Sequence, residues 1–137
     1  MRRKLKIKDL TWFSFFFFIL LTSIFACGFV YEKHLTGHYY IIGVDSNEDL
    51  SLSYKIDSDS FVGKAPGELL EYGFNDTFLV AKTKEYSRPE PQYYIIDMTK
   101  DSALALEEKF RVGPVSELDY DKMWRSRLNV VLKKVQK

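Results

Sequence analysis

Leu50-Ser51-Leu52-Ser53-Tyr54-Lys55-Ile56-Asp57 alternates apolar and polar side chains without a break. A period of two puts Leu50, Leu52, Tyr54 and Ile56 on one face of a strand and Ser51, Ser53, Lys55 and Asp57 on the other. The flanking segments have the same character. Residues 38–44 are dense in β-branched and aromatic side chains. Asp45-Ser46-Asn47-Glu48-Asp49 after them is turn chemistry, because short polar side chains bond their own backbone.

Downstream, Asp57-Ser58-Asp59-Ser60 reads as a second turn, and Phe61-Val62-Gly63 as a short strand stopped at Pro66-Gly67. Tyr72-Gly73-Phe74-Asn75-Asp76 reads as a turn before a strand over residues 77–83. Residues 84–91 form a polar loop stiffened by Pro89 and Pro91, and residues 92–98 return to aromatic and β-branched side chains. Leu104 and Leu106 suggest a further strand ending near Val112-Gly113-Pro114.

The C-terminus changes period. Ser116 followed by Asp119 resembles a capping box with Asp in place of the usual Glu or Gln. Tyr120, Trp124, Leu128, Val131 and Val135 fall at spacings of three and four, one face of a helix. Lys133, Lys134 and Lys137 lie at its end, where the helix dipole favours cations. The whole predicts an α+β domain: an antiparallel β-meander of about five strands packed by one C-terminal helix in two layers.

Two segments resemble each other. His38-Tyr39-Tyr40-Ile41-Ile42 recurs as Gln92-Tyr93-Tyr94-Ile95-Ile96 at an offset of 54 residues. Leu50, Leu52 and Lys55 match Leu104, Leu106 and Lys109 at the same offset. A repeated hairpin is one reading. Convergence of two sheet hairpins on Tyr, Ile and Leu is the other, and repeat architectures need about three units to bury a continuous core.

Ahead of the domain, Arg2, Arg3, Lys4, Lys6 and Lys8 form a basic head. Leu10 to Tyr31 is an uncharged run of 22 residues. A helix of that length spans roughly 33 Å at about 1.5 Å per residue, against a hydrocarbon core about 30 Å thick. Within the run, Ile24-Phe25-Ala26-Cys27-Gly28 places a small residue before the chain's single cysteine and a glycine after it. This resembles the signal peptide of a bacterial lipoprotein. The resemblance implies that Cys27 is lipidated and becomes the first mature residue. The alternative is an uncleaved membrane anchor. Both put residues 1–26 in a signal peptide or anchor, 27–36 in a tether and 37–137 in an exported domain. By the positive-inside rule that domain lies outside the cytoplasm, in the cell envelope.

The chain carries 20 basic and 19 acidic side chains. Five of the basic and one of the acidic precede Cys27, leaving 15 against 18 and a net charge of −3. A nucleic-acid binder needs a basic face to replace phosphate counterions, so that class is excluded. With Cys27 at the membrane no disulfide is available, and stability rests on an apolar core. The exported part also resembles a group of small bacterial envelope proteins, from residues 38–42 through Tyr72-Gly73-Phe74-Asn75-Asp76 to Val112-Gly113-Pro114-Val115-Ser116. That likeness carries no catalytic residues.

Chemistry-bearing patterns are sparse. His34 and His38 are four apart in a segment that reads as tether running into strand, where they would not share a metal. No metal site and no cofactor is expected. Nothing resembles a nucleophile elbow or a phosphate loop. Asp45, Glu48, Asp49, Asp57, Asp59 and Asp76 are carboxylates by type, nearly all in turns. Tyrosines are the better binding candidates, since they combine large area with a polar tip. Tyr39 and Tyr40 point to opposite faces of a strand, as do Tyr93 and Tyr94. One of each pair can enter the core while the other faces solvent, the helix or a partner. The functional expectation is a membrane-anchored, non-enzymatic binding module, with an envelope protein or surface ligand as partner. The alternatives are an inhibitor or immunity-type lipoprotein and a cell-wall glycan hydrolase using paired carboxylates.

Overall fold

The computed structural model describes residues 29–46 and 48–136, so the basic head, the signal or anchor segment and Cys27 lie outside the described residues. The alternating stretch forms β3 (Ser51–Lys55), between β2 (Tyr39–Gly43) and β4 (Phe61–Gly63). β1 (Tyr31–Thr36) pairs with the other edge of β2, completing an antiparallel sheet in the order β1-β2-β3-β4. Residues 31–36, expected as tether, are therefore an edge strand. Tyr31, Lys33 and Leu35 alternate there with the exposed Glu32 and His34. The two-residue loop Gly37-His38 reverses the chain, with Gly37 at φ +53°, a conformation that side chains resist.

The second sheet contains β5 (Glu68–Phe74), β6 (Phe78–Lys84), β7 (Gln92–Asp97), β8 (Arg111–Val115) and the two-residue β9 (Lys133–Lys134), in the order β8-β7-β6-β5-β9. Tyr72, Gly73 and Phe74, expected in a turn, close β5 instead. The turn itself is set by Asn75, whose Oδ1 accepts the N–H groups of Thr77 and Phe78 at 2.9 and 2.7 Å. Leu104 and Leu106, expected on a strand, are exposed in the connection before a single helical turn, α1 (Glu107–Phe110). The strand that follows is β8, which pairs with β7. The internal likeness thus joins unlike elements: β2 is the second strand of its meander and β7 the third of its own.

The sheets pack face to face around Tyr39, Ile41, Leu50 and Leu52 from the first and Leu69, Tyr72, Leu79, Ala81, Tyr94 and Ile96 from the second. The opposite face of the second sheet, with Val80, Tyr93 and Ile95, packs on Tyr120, Leu128 and Val130 from the C-terminal segment. Three layers replace the two expected, and the second sheet is the middle one. This explains why β7 reads as a nearly continuous apolar run: both of its faces are buried.

The C-terminal helical segment starts as its capping pattern predicts. Ser116 Oγ accepts the Asp119 N–H at 3.2 Å and donates to Asp119 Oδ2 at 2.8 Å. It runs as α2 (Glu117–Asp119), a π-helical turn over Tyr120–Trp124 and α3 (Arg125–Leu128). It does not reach the C-terminus. Asn129 adopts the left-handed conformation, φ 49° and ψ 43°, which ends a helix. Asn75 Nδ2–H also donates to the Leu128 carbonyl at 2.8 Å. Beyond that stop Val131 is 77% exposed, Val135 packs on the inter-sheet core, and Lys133 and Lys134 pair with β5. Among the described residues no helix is long and apolar enough to cross a membrane.

Gly73 marks where the C-terminal segment crosses β5. A Cβ there would collide with the Val131 carbonyl and with Val130 Cγ1. Backbone on one side and a packed side chain on the other leave little room to yield. Gly73→Ala is expected to cost about 1–3 kcal/mol. A urea midpoint lowered at unchanged slope, with faster amide exchange at Val130 and Leu132, would register that loss.

Candidate functional site

An open cleft of about 580 Å³ lies where the C-terminal segment meets the second sheet. β5 contributes Glu71, β6 Lys82 and β7 Tyr93; the helical segment contributes Glu117, Tyr120 and Arg125, and Asn129, Val130, Val131 and Leu132 close one side. Strand register explains the grouping. Glu71 pairs with Lys82, and Lys82 with Tyr93, across three adjacent strands. All three therefore point to the helical side of the sheet.

The floor is aromatic. The rings of Tyr93 and Tyr120 stack at 4.2 Å with their planes 5° apart. Lys82 Nζ lies 5.2 Å from the Tyr93 ring centre and 3.0 Å from Glu117 Oε1. Tyr93 donates its hydroxyl to the same oxygen at 3.1 Å. Arg125 lies with its guanidinium carbon 5.8 Å from the Tyr120 ring centre and donates through Nε to Asp121 Oδ1 at 2.8 Å. The Tyr120 hydroxyl is buried without a hydrogen-bond partner.

The electrostatics follow from these contacts. The Lys82 ammonium and the Tyr93 hydroxyl hold the Glu117 carboxyl below its usual range. Burial works against the charged form of Lys82, but contact with Tyr93 and Glu117 outweighs it and the ammonium titrates above its usual value. Burial raises Tyr93 and Tyr120. The Asp121 carboxylate raises Arg125.

Of the four tyrosines singled out from sequence, the cleft contains one. Tyr93 is 1% exposed and forms its floor. Tyr94 faces the inter-sheet core and donates to Glu85, while Tyr39 shares that core and donates to Asp101 Oδ2 at 2.7 Å. These buried rings hold the fold rather than offering area to a partner. Tyr40 keeps part of its surface open on the far side of the first sheet. His34 packs on Tyr40 and His38 stacks on Tyr54, and among the described residues no group of three or more His, Cys, Asp or Glu could hold a metal. Asp45, Glu48 and Asp49 lie between β2 and β3, Asp57 and Asp59 between β3 and β4, and Asp76 between β5 and β6. Glu71 and Glu117 share this cleft, and Asp49 lines a second one of about 410 Å³ with Glu68 and Glu85; neither grouping was legible in the sequence, because strand register and chain reversals bring distant residues together. Lys82 gave the only local signal, a cation interrupting the apolar run of β6.

Neither a family model, nor a curated protein, nor a solved structure matches this chain.

Proposed function

We propose that this protein is a membrane-anchored envelope lipoprotein whose exported domain is a non-enzymatic binding module, with the cleft between the second sheet and the C-terminal segment as its contact site. The observation that carries this reading is the pairing inside the cleft: Lys82 and Tyr93 both meet Glu117 Oε1, at 3.0 and 3.1 Å, above the stacked rings of Tyr93 and Tyr120, and the titrations follow from it. Each displaced group there moves away from neutrality: Glu117 down, and Lys82, Tyr93, Tyr120 and Arg125 up. General acid–base catalysis wants a group poised near the working pH. Matched charges over an aromatic floor suit recognition of a polar partner segment, with specificity coming from charge register.

The hydrolase reading keeps one observation in its favour, the shared placement of Glu71 and Glu117. Such an enzyme needs one carboxyl protonated as acid and a second as base or nucleophile. Glu117 is held ionised, so Glu71 would have to be the acid.

One experiment separates the readings. A photo-crosslinking residue replaces Val131 in the full chain, in its native membrane. The binding reading predicts a discrete adduct that disappears with Lys82→Glu and Arg125→Glu while the fold persists. Absence of any adduct, together with release of soluble glycan from isolated cell walls that Glu71→Gln abolishes, would establish the hydrolase instead.

A further inference from the structure

Three of the four sheet faces are covered by another layer; among the described residues nothing covers the outer face of the first sheet. Alternation makes such a face polar, and Glu32, Ser51, Ser53 and Lys55 follow that rule, but a cluster of rings interrupts it. Tyr40 from β2 and Phe61 from β4 meet with ring centres 5.5 Å apart, and Phe29, just ahead of β1, folds onto Phe61 at 4.9 Å. His34 from β1 packs on Tyr40 at 4.8 Å. Lys55 from β3 sits over both rings, 5.0 Å from Tyr40 and 5.2 Å from Phe61. Its charge is matched by Glu32 at 3.1 Å. Phe29 and Val30 remain 38% and 55% exposed.

We propose that this face lies against the lipid–water interface of the bilayer in which the chain is anchored. The proposal rests on the membrane-anchored reading and adds an orientation to it. Two features select lipid as the occupant. The uncharged run that begins at Leu10 leads directly into Phe29, so the cluster and the anchor are continuous in sequence. Cys27 is two residues from Phe29, and two extended residues span at most about 7 Å. A face containing Phe29 therefore stays within reach of the headgroups whether the chain is held by acyl groups or by a spanning helix. The second feature is composition. Rings with polar tips, here Tyr40 and His34, concentrate at membrane interfaces, where one end is apolar and the other wet, and Phe29 and Phe61 supply apolar area beside them. The Lys55–Glu32 pair leaves the face nearly neutral, so the contact is interfacial rather than an attraction to anionic lipid. Sheets pack about 10 Å apart. The cleft, on the far side of the second sheet, then opens away from the membrane.

The test uses the full chain in phosphatidylcholine vesicles with a nitroxide at Gly63→Cys. A Cβ at that outer-face position meets no atom within 4 Å. A second sample carries the label at Lys122→Cys on the helical segment, and the parent chain, treated alike, subtracts any signal from Cys27. The expected result is that oxygen relaxes the label at 63 in preference to a water-soluble nickel chelate, several-fold more than at 122. This preference should be equal at low and high salt. Combining Phe29→Ser with Phe61→Ser should return the label at 63 to an aqueous response while the chain still floats with the vesicles. Equal aqueous responses at 63 and 122 in a floating chain would overturn the orientation and leave the anchor standing. A chain that does not float would overturn both.

Discussion

Asp101→Ala is expected to lower the stability of the domain by about 3–5 kcal/mol, the usual cost of leaving one member of a buried ion pair alone. Lys64 and Asp101 have side chains 2% and 0% exposed and meet at 2.6 Å. The Lys64 ammonium also donates to the Ser102 carbonyl at 2.7 Å and lies 4.9 and 4.4 Å from the ring centres of Tyr54 and Phe110. Asp101 also accepts from Tyr39 and from the Ser102 N–H, so three of its four lone-pair sites are used. The alanine would strand both an ammonium and a phenol. Domains of this kind are stable by about 5–15 kcal/mol in total, which makes the loss a large share. Lys64→Met alone should be similarly severe, because it leaves the carboxylate buried. Combining Lys64→Met with Asp101→Leu and Tyr39→Phe removes the ammonium, the carboxylate and the phenol together, leaves the exposed Ser102 backbone to water, and should recover much of the loss. Denaturation midpoints across the set measure this; equal and additive losses would show that the pair is not coupled.

The second large effect is an abrupt alkaline unfolding. Burial, reinforced by the Asp101 carboxylate, pushes the Tyr39 hydroxyl far above its ordinary value. Burial and the Glu85 carboxylate push Tyr94 up to about 12. Tyr93 and Tyr120 are raised by burial as well. Each phenol is kept neutral in the folded state and ionises more readily in the unfolded one. Their contribution is therefore complete below pH 10 and is lost as pH rises through the folded values. Four such groups give a slope of up to about 5 kcal/mol per pH unit, at about 1.4 each. Tyrosinate absorbance should rise in two phases. The four buried rings should appear only with the loss of far-ultraviolet ellipticity. A single smooth titration that leaves ellipticity intact would mean that these rings reach solvent in the folded protein.

The sequence made local order legible and left layering hidden. Period two located β3, and dense β-branched and aromatic runs located β2, β6 and β7, because those signals belong to neighbouring residues. β1 was missed because its alternation is weak and it follows the uncharged run. The segment from Glu68 to Phe74 was obscured by Gly73, which resembles turn chemistry but admits a crossing chain. The helical period was followed past Asn129 because Val131 and Val135 happen to keep the spacing, while the left-handed stop depends on a single residue. The candidate site was less legible still. Tyr93 stood out as an aromatic, but its partners Lys82 and Glu117 are 35 residues apart. Lys64 and Asp101, 37 apart, look like ordinary turn residues until the sheets close over them.

The most direct test of the account is the intact mass of the protein taken from its native membrane, beside a Cys27→Ala form. The account predicts a species that begins at Cys27 and carries added acyl mass, absent from the variant. An unprocessed full-length mass in both forms would contradict it, and the uncharged run ahead of Phe29 would then remain as a spanning segment.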